Sequence, residues 1–169
     1  SGDNLAKRLH ESGVLPVDDV RRITREVSDA LAYAHERGVV HRDIKPDNIL
    51  LSGAHALVTD FGVAKALAAS TAGHSGITDI GLALGTPAYM APEQAAGDAS
   101  VDHRADLYAL GATAYEMIAG RPMFAHRSAA QHLIAHATET PEPLGKLVPA
   151  APAELTRLIE RLLSKHPND

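Results

Sequence analysis

No cysteine occurs among the 169 residues, so disulfides, thiolate zinc sites and thiol nucleophiles are excluded together. Tryptophan is also absent and aromatic residues make up 4% of the chain, leaving little stacking surface for single-stranded nucleic acid. Basic residues are outnumbered, 16 Lys+Arg against 21 Asp+Glu, and a net charge of -5 argues against a partner gripped by its phosphate backbone. Nucleic acid is therefore not an expected ligand. No apolar run reaches the roughly 18 residues of a membrane helix, so a cytoplasmic chain is expected, with any membrane anchor of the full-length protein outside this segment. None of the 13 glycines has another glycine two positions on, so the chain contains no G-x-G phosphate lid. Alanine is abundant instead, at 30 positions, and apolar residues reach 45%, which suits a helix-rich core packed through small side chains.

Periodicity predicts an α+β, mainly α architecture. Asp3 or Asn4 caps a short helix over residues 5–10, and Gly13 ends it. Over residues 17–37, Val20, Ile23, Val27, Ala30, Leu31 and Ala34 share one face at a period of 3.6, with Asp18 and Asp19 at the positive end and Gly38 as the stop. Three short β-type runs follow: Val39-Val40, Ile49-Leu50-Leu51 and Ala56-Leu57-Val58-Thr59. Strands so brief cannot hold a core alone and should lie on helices. Between Gly62 and Met90 the pattern fades for longer than an ordinary connection, which predicts a functional or mobile loop. Helical patterning returns over residues 105–119, 128–138 and 153–164, the last after a proline-rich break over 141–152.

The polar residues gather in three places. His41-Arg42-Asp43-Ile44-Lys45-Pro46-Asp47-Asn48 holds an Asp and an Asn with four residues between them. Seventeen positions past Asp43 stands Asp60-Phe61-Gly62, and Ala91-Pro92-Glu93 comes later. Each alone reads as a polar turn, since Asp, Asn and Pro are turn residues. In this order and spacing they resemble the protein-kinase set of catalytic loop, metal-binding Asp and loop-closing tripeptide. The stretch Gly85-Thr86-Pro87-Ala88-Tyr89-Met90-Ala91-Pro92-Glu93-Gln94 is similar to the prokaryotic branch of the eukaryote-like, Hanks-type Ser/Thr protein kinases. The likeness extends along essentially the whole chain.

The resemblance implies a kinase-like C-lobe with a short β-hairpin insert that carries the catalytic and metal-binding loops. It implies that residues 1–169 are a partial kinase catalytic domain, from just after the hinge to just before the last helix, with the N-lobe absent. By the same resemblance Asp43 accepts the proton of a Ser or Thr hydroxyl, and Lys45 neutralises the phosphoryl group in transfer. Asp60 and Asn48 hold Mg2+, with Mn2+ as the alternative metal; Lys45, Asp47, Asn48 and Asp60 form the ATP-binding set. Thr86 hydrogen-bonds the catalytic Asp and Lys. Arg42 pairs with a phosphorylated loop residue, for which Thr78 is the candidate. His41 and Phe61 stack beneath the site, Glu93 closes the loop and awaits an Arg beyond Asp169, and Asp106 accepts backbone N–H groups of the His-Arg-Asp turn. Expected partners are protein substrates, ATP, the missing N-lobe in cis and a second kinase chain. On its own the fragment should bind ATP weakly and transfer nothing, because nucleotide cover and a strand Lys would come from the other lobe.

A pseudokinase or a helical docking module without catalysis is the competing reading; intact Asp43, Asn48 and Asp60 weigh against it. Three further patterns carry no chemistry. His132 and His136 have the i, i+4 spacing of metal ligands without a third ligand, and a solvated helix face is expected there. Gly76 and Gly81 lack the Lys of a phosphate loop, and Gly73-His74-Ser75-Gly76 is one residue short of a nucleophile elbow. In the full-length protein, Thr78→Ala and Arg42→Ala should each lower transfer to a protein substrate. The double variant should lose no more than either single one, because both remove the same phosphate–guanidinium contact. Radiolabel transfer rates for the four proteins test this, and additive losses would remove the pairing.

Overall fold

A computed structural model describes residues 3–61, 86–98 and 100–166. The expected short helix is α1, Leu5–Ser12, and Asn4 is its cap: its side chain accepts the Lys7 N–H at 2.9 Å. The backbone of Asn4 has a second role. With Asp3 it forms β1, Asp3–Asn4, which runs antiparallel to β2, Ile49–Ser52, in the register Asp3↔Leu51 and Asn4↔Leu50. β2 turns through Gly53 and Ala54 into β3, His55–Val58, pairing Ile49 with Val58 and Ser52 with His55. The left-handed φ of 59° at Gly53 permits the tight reversal without a side-chain clash. The sheet order is β1-β2-β3.

The third strand is therefore not Val39-Val40, which is irregular. The physical reason is that the donors on either side of Val40 are already committed. Helix α2, Val17–His35, closes with the Val39 N–H bonded back to the Ala34 carbonyl at 3.0 Å, across Gly38 at φ 72°. On the other side of Val40, the His41 and Arg42 N–H groups are bound by the Asp106 side chain. The segment is held by the helix end and by Asp106 rather than by a ladder.

Helix α2 buries Val20, Ile23, Val27, Leu31 and Ala34 of the expected stripe, with Thr24 beside them, while Ala30 is only half-buried at its edge. It packs against α4, Arg104–Ala119, and against β3. Its side chains also clamp the hairpin: Glu26 accepts the Ala56 N–H at 2.6 Å, and Arg22 donates to the Ala54 carbonyl at 2.5 Å. Helix α4 is buried on nearly every face, so it is the axis of the molecule rather than an amphipathic surface helix. Around it lie α3, Pro92–Ala95; α5, Ala129–Thr138; α6, Leu144–Leu147; and α7, Ala153–Leu162. Helices α3 and α6 fall in proline-rich stretches whose periodicity is too short to show them. No helix among the described residues is long and apolar enough to cross a membrane.

The contact between α4 and α7 is set by Gly111. A β-carbon there would lie 2.8 Å from Leu162 Cβ and 3.3 Å from the Leu163 side chain. The first of these atoms cannot swing aside, so the helices would have to part. Gly111→Ala should destabilise the full-length protein by about 1–3 kcal/mol, despite the helix propensity that alanine adds. A shift of the urea midpoint to lower concentration checks this, and an unchanged or higher midpoint would contradict it.

Candidate active site

The site is built where the segment before β2 crosses the N-terminal part of α4. Asp106 is fully buried, and its two oxygens accept the His41 N–H at 2.9 Å and the Arg42 N–H at 2.7 Å. His35 Nε2 adds a third bond at 2.8 Å. A buried carboxylate without donors costs several kcal/mol, about 3–5 when a partner is removed, so this helix position and this loop depend on each other. Arg42 itself takes a left-handed conformation, φ 70°, which turns the chain sharply just after these two N–H groups.

That turn delivers Asp43 into a cluster. Asp43 Oδ1 accepts the Thr86 N–H at 3.1 Å, and Oδ2 lies 2.9 Å from Lys45 Nζ and 3.2 Å from Asn48 Nδ2. Lys45 Nζ also donates to Thr86 Oγ1 at 2.6 Å, and Asn48 Nδ2 to the Asp43 carbonyl at 2.8 Å. The structure thus brings Asp43, Lys45, Asn48 and Thr86 into one hydrogen-bonded group. Pro46 starts a 3-10 turn, Pro46–Asn48, that buries Asn48 and leaves Asp47 exposed.

Asp60 follows β3 at φ 62°, exposed, with no hydrogen bond to the Asp43 cluster among the described residues. The two segments are joined one residue earlier, where Thr59 N and Oγ1 donate to the Asn48 carbonyl at 2.9 and 3.3 Å. His41 makes a further joint. Its Nε2 donates to the Thr59 carbonyl at 2.7 Å while Nδ1 accepts the Asp43 N–H at 3.2 Å, so the neutral ring links both loops. Phe61 meets that ring edge-on at 4.8 Å between centroids and stays 37% exposed. The expected contact of His41 with Phe61 is present, and the same imidazole also hydrogen-bonds both loops. Thr78 lies outside the described residues. Glu93 is half-buried on α3, and its charge is felt by Arg104 and Tyr108.

Asp43 lines a small recess together with Arg42, Thr86, Tyr89, Met90 and Gln94. Sequence reasoning missed several residues that shape it. Gln94 is buried and donates to the Arg42 carbonyl at 3.1 Å while accepting the Ala91 N–H at 3.2 Å, which ties α3 to the turn before Asp43. Tyr89 donates to Glu116 at 2.6 Å; burial pushes the Tyr89 phenol up, and burial also raises the Glu116 carboxyl. His136, expected on a solvated face, is fully buried, with Nε2 donating to the Ala88 carbonyl at 2.9 Å. The capping box at Ser128 and Gln131 marks where α5 starts but not which of its faces turns inward.

The donors present are hard oxygen ligands, suited to Mg2+ rather than to a soft metal. Because Asn48 Nδ2 is spent on Asp43, its Oδ1 is the amide atom left for a cation. Among the described residues no cluster of three His, Cys, Asp or Glu side chains forms a metal cage.

The fold and the loop geometry are protein-kinase-like, and comparison with known proteins gives the family. The protein kinase domain family matches residues 1–169, and the chain belongs to it. It is 45% identical over 152 residues to the serine/threonine-protein kinase Pkn1 of Myxococcus xanthus, covering 87% of this chain and 21% of that protein. It is 36% identical over 169 residues to the serine/threonine-protein kinase PknB of Mycobacterium leprae, covering 99% of this chain and 26% of that one. Its fold resembles the crystal structure of a mutant Mycobacterium tuberculosis PknI kinase domain with a TM-score of 0.71 at 32% identity, covering 99% of this chain and 56% of that one. The chain thus spans about a quarter of these curated relatives, and its likeness is to bacterial Hanks-type Ser/Thr kinases.

Burial at His136 has a consequence for stability. Desolvation is the main cause that holds its imidazole pKa at about 4, below the ordinary 6.5. Between those values the unfolded chain binds a proton that the folded chain refuses, so stability falls as pH drops through this window. The loss should approach about 3 kcal/mol by pH 4, and His136→Gln should remove most of it. Urea denaturation of both full-length proteins at pH 7 and pH 5 checks the difference.

Proposed function

We propose that the chain is the larger lobe of a protein kinase that transfers the γ-phosphoryl group of ATP to Ser or Thr hydroxyls of proteins. One observation carries the proposal: the side chains that sequence order suggested, Asp43, Lys45, Asn48 and Thr86, share one hydrogen-bonded cluster at the mouth of a recess. Asp43 Oδ2 has two donors and Oδ1 has one, so Oδ1 retains an acceptor site for a substrate hydroxyl. In the proposed step that hydroxyl oxygen bonds to the γ-phosphorus, its proton passes to Asp43, and the bond to ADP breaks. Lys45, held between Asp43 and Thr86, places its ammonium beside the phosphoryl group.

When bound, Mg2+ or Mn2+ draws charge from the phosphate oxygens. Asn48 Oδ1 and the exposed Asp60 carboxylate are the proposed ligands. Asp47, exposed beside Asn48, is proposed to border the nucleotide. The Arg42 guanidinium, which has no hydrogen-bond partner among the described residues, is proposed to receive phosphorylated Thr78. A smaller lobe in cis would supply the rest of the nucleotide enclosure, so the isolated 169 residues are proposed to be inactive. A cytoplasmic setting belongs to the same proposal.

Two substitutions in the full-length protein separate the roles. Asp43→Asn keeps shape and the Thr86 contact but removes the proton acceptor; transfer should fall at least about 100-fold with Mg-nucleotide affinity within about twofold. Asp60→Ala should weaken Mg-dependent nucleotide binding as well as rate. Titration calorimetry with Mg-ATP and radiolabel transfer read both, and normal turnover by Asp43→Asn would remove the base assignment.

A further inference from the structure

Behind the 3-10 turn Pro87–Tyr89, the polar groups form a line with a direction. His136 has no exposed surface, yet both ring nitrogens are engaged. Nε2 is 2.9 Å from the Ala88 carbonyl oxygen, which can only accept, so Nε2 carries the hydrogen. Nδ1 lies 2.9 Å from the Tyr108 hydroxyl. Burial keeps the ring neutral at pH 7, so Nδ1 is bare and Tyr108 must donate to it. Burial also raises the Tyr108 phenol, which keeps its proton. The phenol oxygen accepts from Lys165 Nζ, weakly at 3.4 Å, while the same ammonium donates to the His136 carbonyl at 2.8 Å. All the hydrogens point one way, from Lys165 through Tyr108 and His136 to Ala88.

We propose that His136 is a positioning residue for the protein substrate: this one-way chain fixes the Ala88 peptide and with it the turn that walls the recess beside Asp43. Ala88 sits between Thr86, which holds Asp43, and Tyr89 and Met90, which line the recess. The turn has two side-chain anchors, Tyr89 on Glu116 and His136 on Ala88. Losing the second leaves the wall to be ordered by the incoming peptide, which weakens binding. Thr86 keeps its own bonds to Asp43 and Lys45, so the chemical step is spared. The inference rests on the kinase reading and adds a peptide-facing role to a residue far from the reacting atoms.

Steady-state kinetics of the full-length protein with a Ser/Thr peptide test it. His136→Ala should raise the peptide KM about tenfold, the equivalent of one hydrogen bond, with kcat and the ATP KM within about twofold. His136→Gln can place an amide N–H near the Nε2 position and should recover most of the peptide KM. Tyr108→Phe keeps the packing and removes only the hydroxyl, so it covers the case in which His136→Ala fails to fold; it should move the peptide KM in the same direction by a smaller factor. Nitrogen-15 NMR of histidine-labelled protein at pH 7, assigned by loss of the signal in His136→Gln, should show a protonated Nε2 and a bare Nδ1. An Nδ1–H tautomer, a doubly protonated ring, or unchanged peptide KM in both His136→Ala and Tyr108→Phe would overturn the proposal. A wild-type protein that transfers no phosphate at all would instead overturn the kinase reading, and this inference with it.

Discussion

Asp106 sits at full burial in the first turn of the central helix, and the rest of the site hangs from its two oxygens. They capture the N–H groups of His41 and Arg42 just before Asp43. Remove that capture and three consequences follow. Two backbone donors are stranded in the interior, each at about 1–3 kcal/mol; Arg42 loses the reason for its left-handed conformation; and Asp43 is no longer aimed at Thr86. The carboxylate, in turn, is tolerable inside an apolar helix only because the loop brings it donors.

The left-handed residues extend the same logic. Arg42 and Asp60 both have positive φ without being glycine, a conformation that costs about 1–2 kcal/mol for a side chain of this size. In each case a neighbour is locked: Arg42 through its N–H on Asp106 and its carbonyl on Gln94, Asp60 through Thr59 on Asn48. The positive φ reverses the chain abruptly at Arg42, before Asp43, and at Asp60 itself. His41 couples the two reversals, since one ring nitrogen serves each loop.

The long helices and the hairpin were legible because each rests on a local rule. The α2 stripe follows a period of 3.6, Asn4 caps α1 with its own side chain, and Gly53 permits the reversal between β2 and β3. Val39-Val40 misled for an equally physical reason: two β-branched residues favour extended backbone, but the helix end and Asp106 had already claimed the neighbouring N–H groups. β1 was hidden because it is two residues long and doubles as a helix cap.

Chemistry-bearing residue types and their order along the chain were determined by the sequence alone, because metal-ligating and proton-accepting groups are few and their spacing is specific. It was also enough to suggest the family and to single out Asp43, Asn48 and Asp60. Tertiary structure alone decided which of the remaining polar residues serve the site. Gln94, Glu116 and His136 stand 51, 73 and 93 positions from Asp43, and no periodicity links such distances. They become partners only when α3, α4 and α5 close around the 87–89 turn, where burial removes water as the competing hydrogen-bond partner and leaves each group only its protein neighbour.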